Sequence, residues 1–437
     1  MEITIEKLIY GGDGLARLPA DEHGRGKAVF IPFVLEGEKI EASLHQQKKG
    51  FARGWTKSIL QASSQRVEPQ CPYFQRCGGC HYQHAIYEHQ LEIKAAILKE
   101  NLLRIAKLEL PVELKIHPSP PWNYRNRTRL KVRTAPDFAI GYYRFNSHEL
   151  LPVEQCPISS PLINRAIAAL WQLGRSGSFD ASIKLQEIEF FANADDTRLL
   201  VEAYCAPDTP ADAAKQLNEI VLQTLPEIVG VVAFKSSVPD PSGKKIDEPE
   251  EIASEGAKEF IYKTKHASYR VSSGAFFQVN RHLTDELVDI VTAGQSGKTA
   301  LDLYAGGGLF SSVLNREFER VIAVESSQTS HIDLVYNSPA NVKAVHATTA
   351  QYLKNVAGKL QPDFVVVDPP RGGLGEDVVK SLVSLEAPRM VYVSCDPATL
   401  ARDLGGLLGA GYHVQQAHLV DLFPQTFHLE SVFHLMR

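Results

Sequence analysis

The sequence lacks any run of apolar residues that approaches the about 18 needed for a membrane-spanning helix. Its first residues, Met1-Glu2-Ile3-Thr4, are polar and acidic, so they do not resemble the basic and apolar start of a secretory signal peptide. We therefore expect neither secretion nor membrane insertion, and we predict a cytoplasmic protein without a membrane partner.

Cysteine is scarce, with 6 among 437 residues, which excludes a small scaffold held together by disulfides. The net charge of −5 excludes a protein coated in positive charge. The segment 61–160 is nevertheless basic on balance, whereas 240–260 is acidic on balance. One part of the surface can therefore still bind a polyanion.

A chain of this length has room for about three domains. Residues 1–60 alternate short β-like runs with glycine turns, a pattern typical of a small β-barrel. Residues 61–265 contain a cysteine-rich loop, a helix predicted at 86–107 and a mostly β-like stretch from 122 to 262, in which the acidic segment 239–251 is the least structured part. In residues 266–437 strands alternate with helices. The sequence therefore predicts a multidomain α/β protein.

Short apolar strands separated by helical stretches are typical of a parallel sheet covered on both faces. The predicted strands are 299–303, 321–324, 342–345, 364–367, 390–393 and 413–420, and 429–435 completes an antiparallel hairpin. In such sheets, ligands bind at the edge formed by the carboxyl ends of the strands. The residues that follow each strand are therefore the candidates for a functional site.

The first two strand ends predict a cofactor site. Tyr304 and a glycine turn at 305–308 follow the first strand, and Glu325 follows the second. A glycine turn lets a ligand approach the backbone closely, and an acidic residue at the next strand end can accept hydrogen bonds from a ribose. Together these features favour a cofactor of the nucleoside type.

The fourth and fifth strand ends carry reactive side chains. Asp368 follows the fourth strand in a loop whose two prolines remove backbone donors and turn the carboxylate toward the cleft. Cys395 follows the fifth strand. A free cysteine is usually a small buried hydrophobe, but at a strand end before a turn a nucleophile is an equal alternative. Glu430, taken alone, would be a solvated surface residue. A nucleoside cofactor, a cysteine and a carboxylate at one edge are the components of covalent methyl transfer.

These residues resemble the RNA uracil-C5 methyltransferase family, whose members make 5-methyluridine in ribosomal or transfer RNA. The resemblance covers nearly the whole chain. Its most specific segments are VSCDPATLARD at 393–403, DLFPQTFHLE at 421–430, DPPRGG at 368–373 and FFQVN at 276–280. Residues 1–60 resemble the RNA-binding TRAM domain. For residues 266–437 the resemblance implies a Rossmann-like methyltransferase domain that depends on S-adenosyl-L-methionine.

The resemblance also implies a mechanism. The Cys395 thiolate adds to C6 of uracil, C5 takes the methyl group, and Glu430 removes the C5 proton. The cofactor and the uracil edge are expected to be held by Gln278, Tyr304, Glu325 and Asp368. Phe276 is a candidate stacking partner for a flipped base, although one member of a Phe-Phe pair is more often a core residue.

Three cysteines lie close together in one loop, Cys71, Cys77 and Cys80, and Cys156 follows later. Four thiolates suit either zinc or an iron–sulfur cluster, and the spacing is not that of a zinc finger. The loop CPYFQRCGGC with the later Cys156 is similar to the subgroup of the family that carries a cluster, so the resemblance favours a [4Fe–4S] cluster over zinc.

Basic residues occupy every second position of one predicted strand: Arg125, Arg127, Arg129, Lys131 and Arg133. At the two-residue period of a strand, all five project from one face. A solvated sheet face would explain such a pattern in an isolated strand. Between an RNA-binding barrel and a cleft for a nucleobase, we instead expect a stripe that contacts phosphates.

The predicted function is therefore methylation of C5 of a specific uridine in structured RNA by a monomeric enzyme, with 23S ribosomal RNA favoured over transfer RNA. One alternative is a non-catalytic RNA-binding protein that keeps the fold and the cluster. Ala347 and Thr348, where family members often carry an acidic or amide residue, support this alternative. A second alternative is a methyltransferase for another target, such as a cytosine or a protein side chain, because cytosine C5 chemistry also uses a cysteine that attacks C6.

Overall fold

The computed structural model describes residues 1–19, 26–179, 183–236 and 249–437. The acidic segment predicted at 239–251 lies mostly outside these ranges. Within them, no helix combines the length and the apolar character that crossing a membrane requires.

The amino-terminal part of the chain is all-β, as predicted. Its strands are β1 (Glu2–Thr4), β2 (Lys7–Leu8), β3 (Asp13–Arg17), β4 (Ala28–Pro32), β5 (Lys39–Gln47) and β6 (Phe51–Gln61). They form one sheet in the order β1-β5-β6-β4-β3-β2. Ile3, Val29, Ile31 and Ile40 belong to its buried core, because alternate residues of a strand face the same side.

One long helix joins this sheet to the rest of the protein. Helix α1 (Tyr87–Asn101) ends in a π-helical turn, Leu102–Ala106, which agrees with the helix predicted at 86–107. It buries one face that includes Ile93, Ile97 and Leu98. The short strand β7 (Leu114–His117) follows; the sequence pattern did not predict it.

In the residues that the structure describes, the central part combines seven strands with two helices. Its elements are β8 (Arg127–Arg133), β9 (Ala139–Tyr143), β10 (Leu150–Pro152), α2 (Pro161–Arg175), β11 (Leu185–Ala192), β12 (Leu199–Cys205), α3 (Ala211–Leu222), β13 (Ile228–Lys235) and β14 (Glu251–Gly256). The strands are ordered β10-β9-β8-β11-β12-β13-β14. The sheet confirms the β-rich prediction, and the two helices are additional elements that the sequence pattern did not predict. The start of helix α2 shows the residues typical of a helix amino terminus: Ser160 caps the helix and Pro161 occupies its first turn.

The last part of the chain begins with a hairpin and continues as an α/β domain. Its elements are β15 (Glu259–Lys263), β16 (Ser268–Ser272), α4 (Thr284–Thr292), β17 (Gly297–Leu303), α5 (Ser311–Leu314), β18 (Phe318–Glu325), α6 (Gln328–Asn337), β19 (Val342–His346), α7 (Thr349–Val356), β20 (Phe364–Val367), α8 (Glu376–Ser384), β21 (Arg389–Ser394), α9 (Pro397–Gly409), β22 (His413–Val420) and β23 (Glu430–Met436). Every strand predicted between 299 and 435 is present.

The large sheet has the order β19-β18-β17-β20-β21-β23-β22-β7. Strands β17 to β21 are mutually parallel, whereas β23 is antiparallel to both β21 and β22. Strand β7 adds to the far edge, parallel to β22, so a segment from the predicted central region completes this sheet. Apolar clusters cover both faces, with Leu382 and Leu404 in one and Leu287 and Leu334 in the other. The strand order reverses between β17 and β20, which places a crevice at their carboxyl ends.

Candidate active site

Five predicted site residues stand at one edge of the large sheet. Glu325 ends β18, Tyr304 follows β17, Asp368 follows β20 and Cys395 follows β21. Glu430 is the first residue of β23, which runs antiparallel to β21. Because these strands are neighbours in the sheet, the fold brings the five side chains, which span more than a hundred residues of sequence, to the same crevice.

The strand register places the predicted nucleophile and the predicted base opposite each other. Ser394 pairs with Ser431, so Cys395 and Glu430 are the next facing residues of the two strands. Burial, together with the carboxylates of Glu430 and Asp368, raises the pKa of the Cys395 thiol to about 12, and Arg371 opposes this shift. Burial, assisted by Asp368, also raises the pKa of Glu430 well above its usual range. The Cys395 thiol is therefore protonated at neutral pH when no ligand is bound.

Two aspartates add to this cluster of buried carboxyl groups. Burial raises the pKa of Asp368 to about 7, with a further contribution from Asp302. Burial also raises the pKa of Asp302 to about 7, opposed by its bonds to Ser311. Within the described residues, Asp302 Oδ1 is buried and has no hydrogen-bond partner. Buried carboxyl groups with raised pKa values favour a cationic ligand, because its positive charge would stabilise their ionised form.

The glycine turn and Glu325 form one hydrogen-bonded unit. The amide of Gly306 donates to Glu325 Oε2 at 2.8 Å, and the amides of Ser326 and Ser327 donate to Oε1 at 2.7 Å each. Tyr304 begins the turn in a left-handed conformation with φ +62°. Glu325 is thus held beside the turn, with its carboxylate oxygens bound to three backbone amides.

Gln278 and Phe276 lie in the segment between β16 and α4. Gln278 is buried, and its backbone carbonyl accepts a hydrogen bond from Asn126 Nδ2 at 3.1 Å. Phe276 is 63% exposed, whereas Phe277 is buried among other aromatic rings. The exposed ring of Phe276 is therefore the one available to stack on a base, and Phe277 is the core residue of the pair.

The residues that depart from the family pattern have a structural explanation. Thr348 caps helix α7: its hydroxyl accepts from the Gln351 amide at 3.2 Å, and the Gln351 side chain accepts from the Thr348 amide at 3.3 Å. This reciprocal capping box stabilises the start of α7. Ala347 packs partly buried against the apolar core.

The four cysteines predicted as ligands line a single cavity of about 280 Å³. Burial raises the pKa of the Cys71, Cys77 and Cys80 thiols, to about 12 for Cys77, and in each case nearby Cys156 raises it further. Nowhere in the described ranges, however, do three or more His, Cys, Asp or Glu side chains converge closely enough to hold one metal ion. Cys205, which is not among the predicted ligands, is buried in the core of the central sheet.

The predicted phosphate-contacting stripe is corrected by the structure at its three central positions. Arg127 pairs with Glu189 and, at 2.9 Å, with Glu202. Glu189 also pairs with Arg129. Lys131 pairs with Glu187. The carboxylates belong to the neighbouring strands β11 and β12, so the charges of the stripe are largely neutralised within the sheet. Outside this network, Arg125 borders the cysteine cavity and Arg133 is exposed at the strand end.

We expect Arg127→Met to lower the free energy of unfolding by about 3–5 kcal/mol, because it leaves the buried Glu202 carboxylate without its cation and leaves Glu189 with Arg129 alone. Urea denaturation measures this change. Arg133→Met, an exposed change on the same strand, is the matched control and should stay within about 0.5 kcal/mol of the parent. Equal stability of the two variants would contradict the ion-pair assignment.

The family to which the chain belongs follows from its similarity to known protein families. The profile described as tRNA (Uracil-5-)-methyltransferase matches residues 86–437, which is more than half of the chain. The chain belongs to this family. A TRAM domain profile matches residues 1–55.

Individual relatives agree with this membership. An uncharacterized RNA methyltransferase of Aquifex aeolicus is 33% identical over 99% of this chain and 97% of its own. One from Caldanaerobacter subterraneus subsp. tengcongensis is 31% identical over 99% of this chain and 96% of its own. The fold is shared with the Pyrococcus abyssi tRNA (uracil-54, C5)-methyltransferase in complex with S-adenosyl-L-homocysteine, with a TM-score of 0.75, 23% identity and full coverage of both chains.

The protein is thus an RNA (uracil-C5)-methyltransferase with the fold of the S-adenosylmethionine-dependent enzymes. Both alternatives, a non-catalytic RNA-binding protein and a methyltransferase for a different class of target, are set aside. The predicted TRAM domain is confirmed at residues 1–55.

The methyltransferase site contains residues that the sequence patterns did not single out. The Tyr10 hydroxyl, from the amino-terminal sheet, donates to the Cys395 carbonyl at 3.2 Å. Arg371 Nη2 lies 3.5 Å from His428 Nδ1, and burial together with this arginine lowers the pKa of His428 to about 3. His428 is therefore neutral at the site. Arg371 and His428 stand within the family segments, whereas Tyr10 had no signal beyond its position before a glycine turn.

Proposed function

We propose that this methyltransferase adds a methyl group to C5 of one uridine in structured RNA through a covalent adduct between Cys395 and C6 of the base. The observation that carries the proposal is the register of β21 and β23, which sets Cys395 opposite Glu430 at the crevice. A nucleophile and a base on facing strands can act on adjacent atoms of one ring.

In this mechanism Cys395 and Glu430 act in succession. The Cys395 thiolate forms a bond to C6, and the electron pair of the C5–C6 double bond moves toward C5 and O4. S-adenosylmethionine, when bound, would supply the electrophilic methyl group: C5 would bond to the methyl carbon as the methyl–sulfur bond breaks, and S-adenosylhomocysteine would leave with that electron pair. Glu430 then takes the C5 proton, and the electrons of that C–H bond re-form the double bond and expel the Cys395 thiolate. The product is 5-methyluridine, and the enzyme regains its thiolate.

The electrostatics of the site support activation upon ligand binding. Burial and the carboxylates of Glu430 and Asp368 keep the Cys395 thiol neutral in the free protein. A sulfonium cation near these carboxylates would reduce their effect on the thiol, and Arg371 acts in the same direction. The nucleophile is therefore expected to form only when the cofactor is present.

Cofactor binding is proposed to use Glu325, Tyr304, Asp368 and Gln278. These side chains fit S-adenosylmethionine for two reasons. Glu325, held at the glycine turn, can accept hydrogen bonds from a ribose, and the buried Asp302 and Asp368 favour a cation. Each of these groups stands at the crevice or, for Gln278, is buried in the segment leading to α4.

The affinity for S-adenosylmethionine should rise as the pH increases from 6 to 7.5. The pKa values of Asp302 and Asp368 are about 7 in the free protein, and the permanent sulfonium charge binds better to their ionised forms. Below pH 7 the ligand must displace the protons of these carboxyl groups. For each proton displaced, the dissociation constant should increase by up to about tenfold for each pH unit by which the pH falls. Titration calorimetry measures the trend. Asp302→Asn should flatten the trend, and an affinity that falls with pH would contradict it.

The RNA is proposed to contact residues 1–60 and the exposed Phe276, with residues 61–265 as a central domain and 266–437 as the catalytic domain. A base at the crevice must leave its stack, and the ring of Phe276 can stack on it. Of the two RNA classes, 23S ribosomal RNA is the first candidate and transfer RNA the second. The enzyme is proposed to act as a monomer in the cytoplasm.

RNA that contains 5-fluorouridine tests this function. Fluorine at C5 cannot leave as a proton, so the adduct with Cys395 should persist after methyl transfer and survive denaturation. Fluorinated ribosomal and transfer RNA are incubated separately with the protein and S-adenosylmethionine, and the trapped RNA is sequenced to locate the uridine. Omission of the cofactor is the control. Absence of a cofactor-dependent adduct with either RNA would overturn the proposal.

A [4Fe–4S] cluster held by Cys71, Cys77, Cys80 and Cys156 is proposed in addition. Four thiols line one cavity but do not converge as the ligands of a single ion do. A four-iron cluster binds each cysteine through a different iron atom, so it accepts sulfurs that are further apart than zinc does.

Anaerobic purification should yield a protein with about four iron atoms per chain and a broad visible absorption. Cys77→Ser should lose most of both signals, because Cys77 lines the cavity. Cys205→Ser is the matched control, since that cysteine is buried in the central sheet, and it should keep them. If the purified protein contains zinc instead of iron, the four cysteines bind zinc and the cluster is absent.

A further inference from the structure

The loop 421–429, here called the catalytic loop, connects β22 to Glu430 and is supported at four successive carbonyl groups. The Leu422 carbonyl accepts from Asn280 Nδ2 at 3.1 Å, and that of Phe423 accepts from Lys94 Nζ at 3.0 Å. The next two carbonyls accept from Tyr124 and from the backbone of 81–82. All of these donors lie far from the catalytic loop in sequence.

Gln425 is the most constrained residue of this loop. It is buried and has φ +69°, a left-handed conformation that costs a non-glycine residue free energy unless its surroundings hold it. Its carbonyl accepts from the His81 and Tyr82 amides at 2.8 and 3.0 Å. His81 and Tyr82 directly follow Cys80, so the cysteine loop, 71–84, provides this support.

Helix α1 completes the contact through one side chain. Gln90 Oε1 accepts from the Gln425 amide at 3.0 Å, and Gln90 Nε2 donates to the Gln425 side-chain oxygen at 3.0 Å. Gln90 Nε2 also donates to the Ala85 carbonyl at 3.0 Å, which ties the pair to the end of the cysteine loop. The side-chain amide of Gln90 therefore connects helix α1 to the catalytic loop and to Ala85, which directly follows the cysteine loop.

A buried ion pair holds the start of the catalytic loop to the same helix. Lys94 Nζ lies 2.5 Å from Asp421 Oδ1, and both side chains are fully buried. The Tyr87 hydroxyl donates to Asp421 Oδ2 at 2.8 Å. Tyr87, Gln90 and Lys94 stand three or four residues apart and so share one face of α1.

The other end of the loop reaches the reactive residues. The ring of Phe427 packs edge-on against His81, with centroids 4.6 Å apart, and against Tyr10 at 5.4 Å. Tyr10 in turn donates to the carbonyl of Cys395. The position of the loop thus affects the strand ends that carry both Glu430 and Cys395.

We propose that Gln90 is a positioning residue for methyl transfer: by holding Gln425 in its left-handed conformation, it couples the cysteine loop to the geometry of Cys395 and Glu430. This inference rests on the proposed function of those two residues. Gln90 itself touches neither of them, so it acts through the backbone of the catalytic loop.

The test compares Gln90→Leu with the parent protein. The variant should retain the dissociation constant for S-adenosylmethionine and the KM for RNA within about twofold, because the proposed cofactor residues lie at other strand ends. Its kcat should fall by about 10–100-fold, as expected when reacting groups shift by up to about 1 Å. Hydrogen–deuterium exchange of the peptide 421–430 should become faster, because the Gln425 amide loses its acceptor.

A conservative variant separates positioning from simple destabilisation. The carboxyl of Gln90→Glu is buried and so has a raised pKa; protonated, it can both donate and accept as the amide does. Its kcat relative to the parent should therefore decline as the pH rises, a trend that an unspecific loss of stability does not produce.

Asn218→Leu is the matched control, since Asn218 is a buried helical amide in α3 whose side chain has no hydrogen-bond partner among the described residues. It should leave kcat and the exchange of 421–430 unchanged. If Gln90→Leu behaves like this control in both measurements, the coupling is absent. The exchange measurement does not depend on activity. If the parent protein transfers no methyl group, the proposed function is wrong, but the exchange of the peptide 421–430 still tests the coupling.

Discussion

Replacing Cys395 by alanine should reduce methyl transfer by roughly 10⁴-fold or more, because the substitution removes the group that makes C5 of uracil nucleophilic. Transfer of a labelled methyl group to RNA under single-turnover conditions measures the loss. The dissociation constants for S-adenosylmethionine and RNA should change by less than about threefold, since the proposed contacts to both remain.

Cys205→Ala is the control for this experiment, because that thiol is buried in the central sheet far from the crevice edge. It should retain full transfer if it folds. Residual transfer by Cys395→Ala within about tenfold of the parent would mean that no covalent bond from this residue is needed, and the nucleophile would have to be sought elsewhere.

Replacing Glu430 by glutamine should have a different signature. The amide cannot take the C5 proton, so turnover should fall by about 10²–10⁴-fold while the steps before proton removal continue. A covalent complex of the enzyme with ordinary, unfluorinated RNA should therefore accumulate. Denaturing electrophoresis and mass spectrometry measure it, and the trapped species should carry the methyl group.

The double variant Cys395→Ala with Glu430→Gln is the control, because it should form no complex at all. If Glu430→Gln alone gives neither turnover nor complex, Glu430 acts before the methyl group is transferred, for example in forming the thiolate.

The proposed catalytic edge could be predicted from the sequence because each of its residues ends, directly follows or begins a strand. The apolar runs at 299–303 and 390–393 identify their strands locally, and the fold then brings Tyr304 and Cys395 to one crevice. Two central helices were missed although α2 buries Leu162, Ile163 and Ala166 at helical spacing. Their signal was present, and the surrounding β-rich pattern obscured it.

The sequence by itself determined the α/β alternation, the strand ends and the reactive residue types, since these depend on patterns a few residues long. The tertiary structure alone decided their partners. The carboxylates that neutralise Arg127 come from other strands, Gln90 meets Gln425 across 335 positions, and Tyr10 meets Cys395 across 385. No local pattern records such distant contacts, because they exist only after segments far apart in the sequence have packed together.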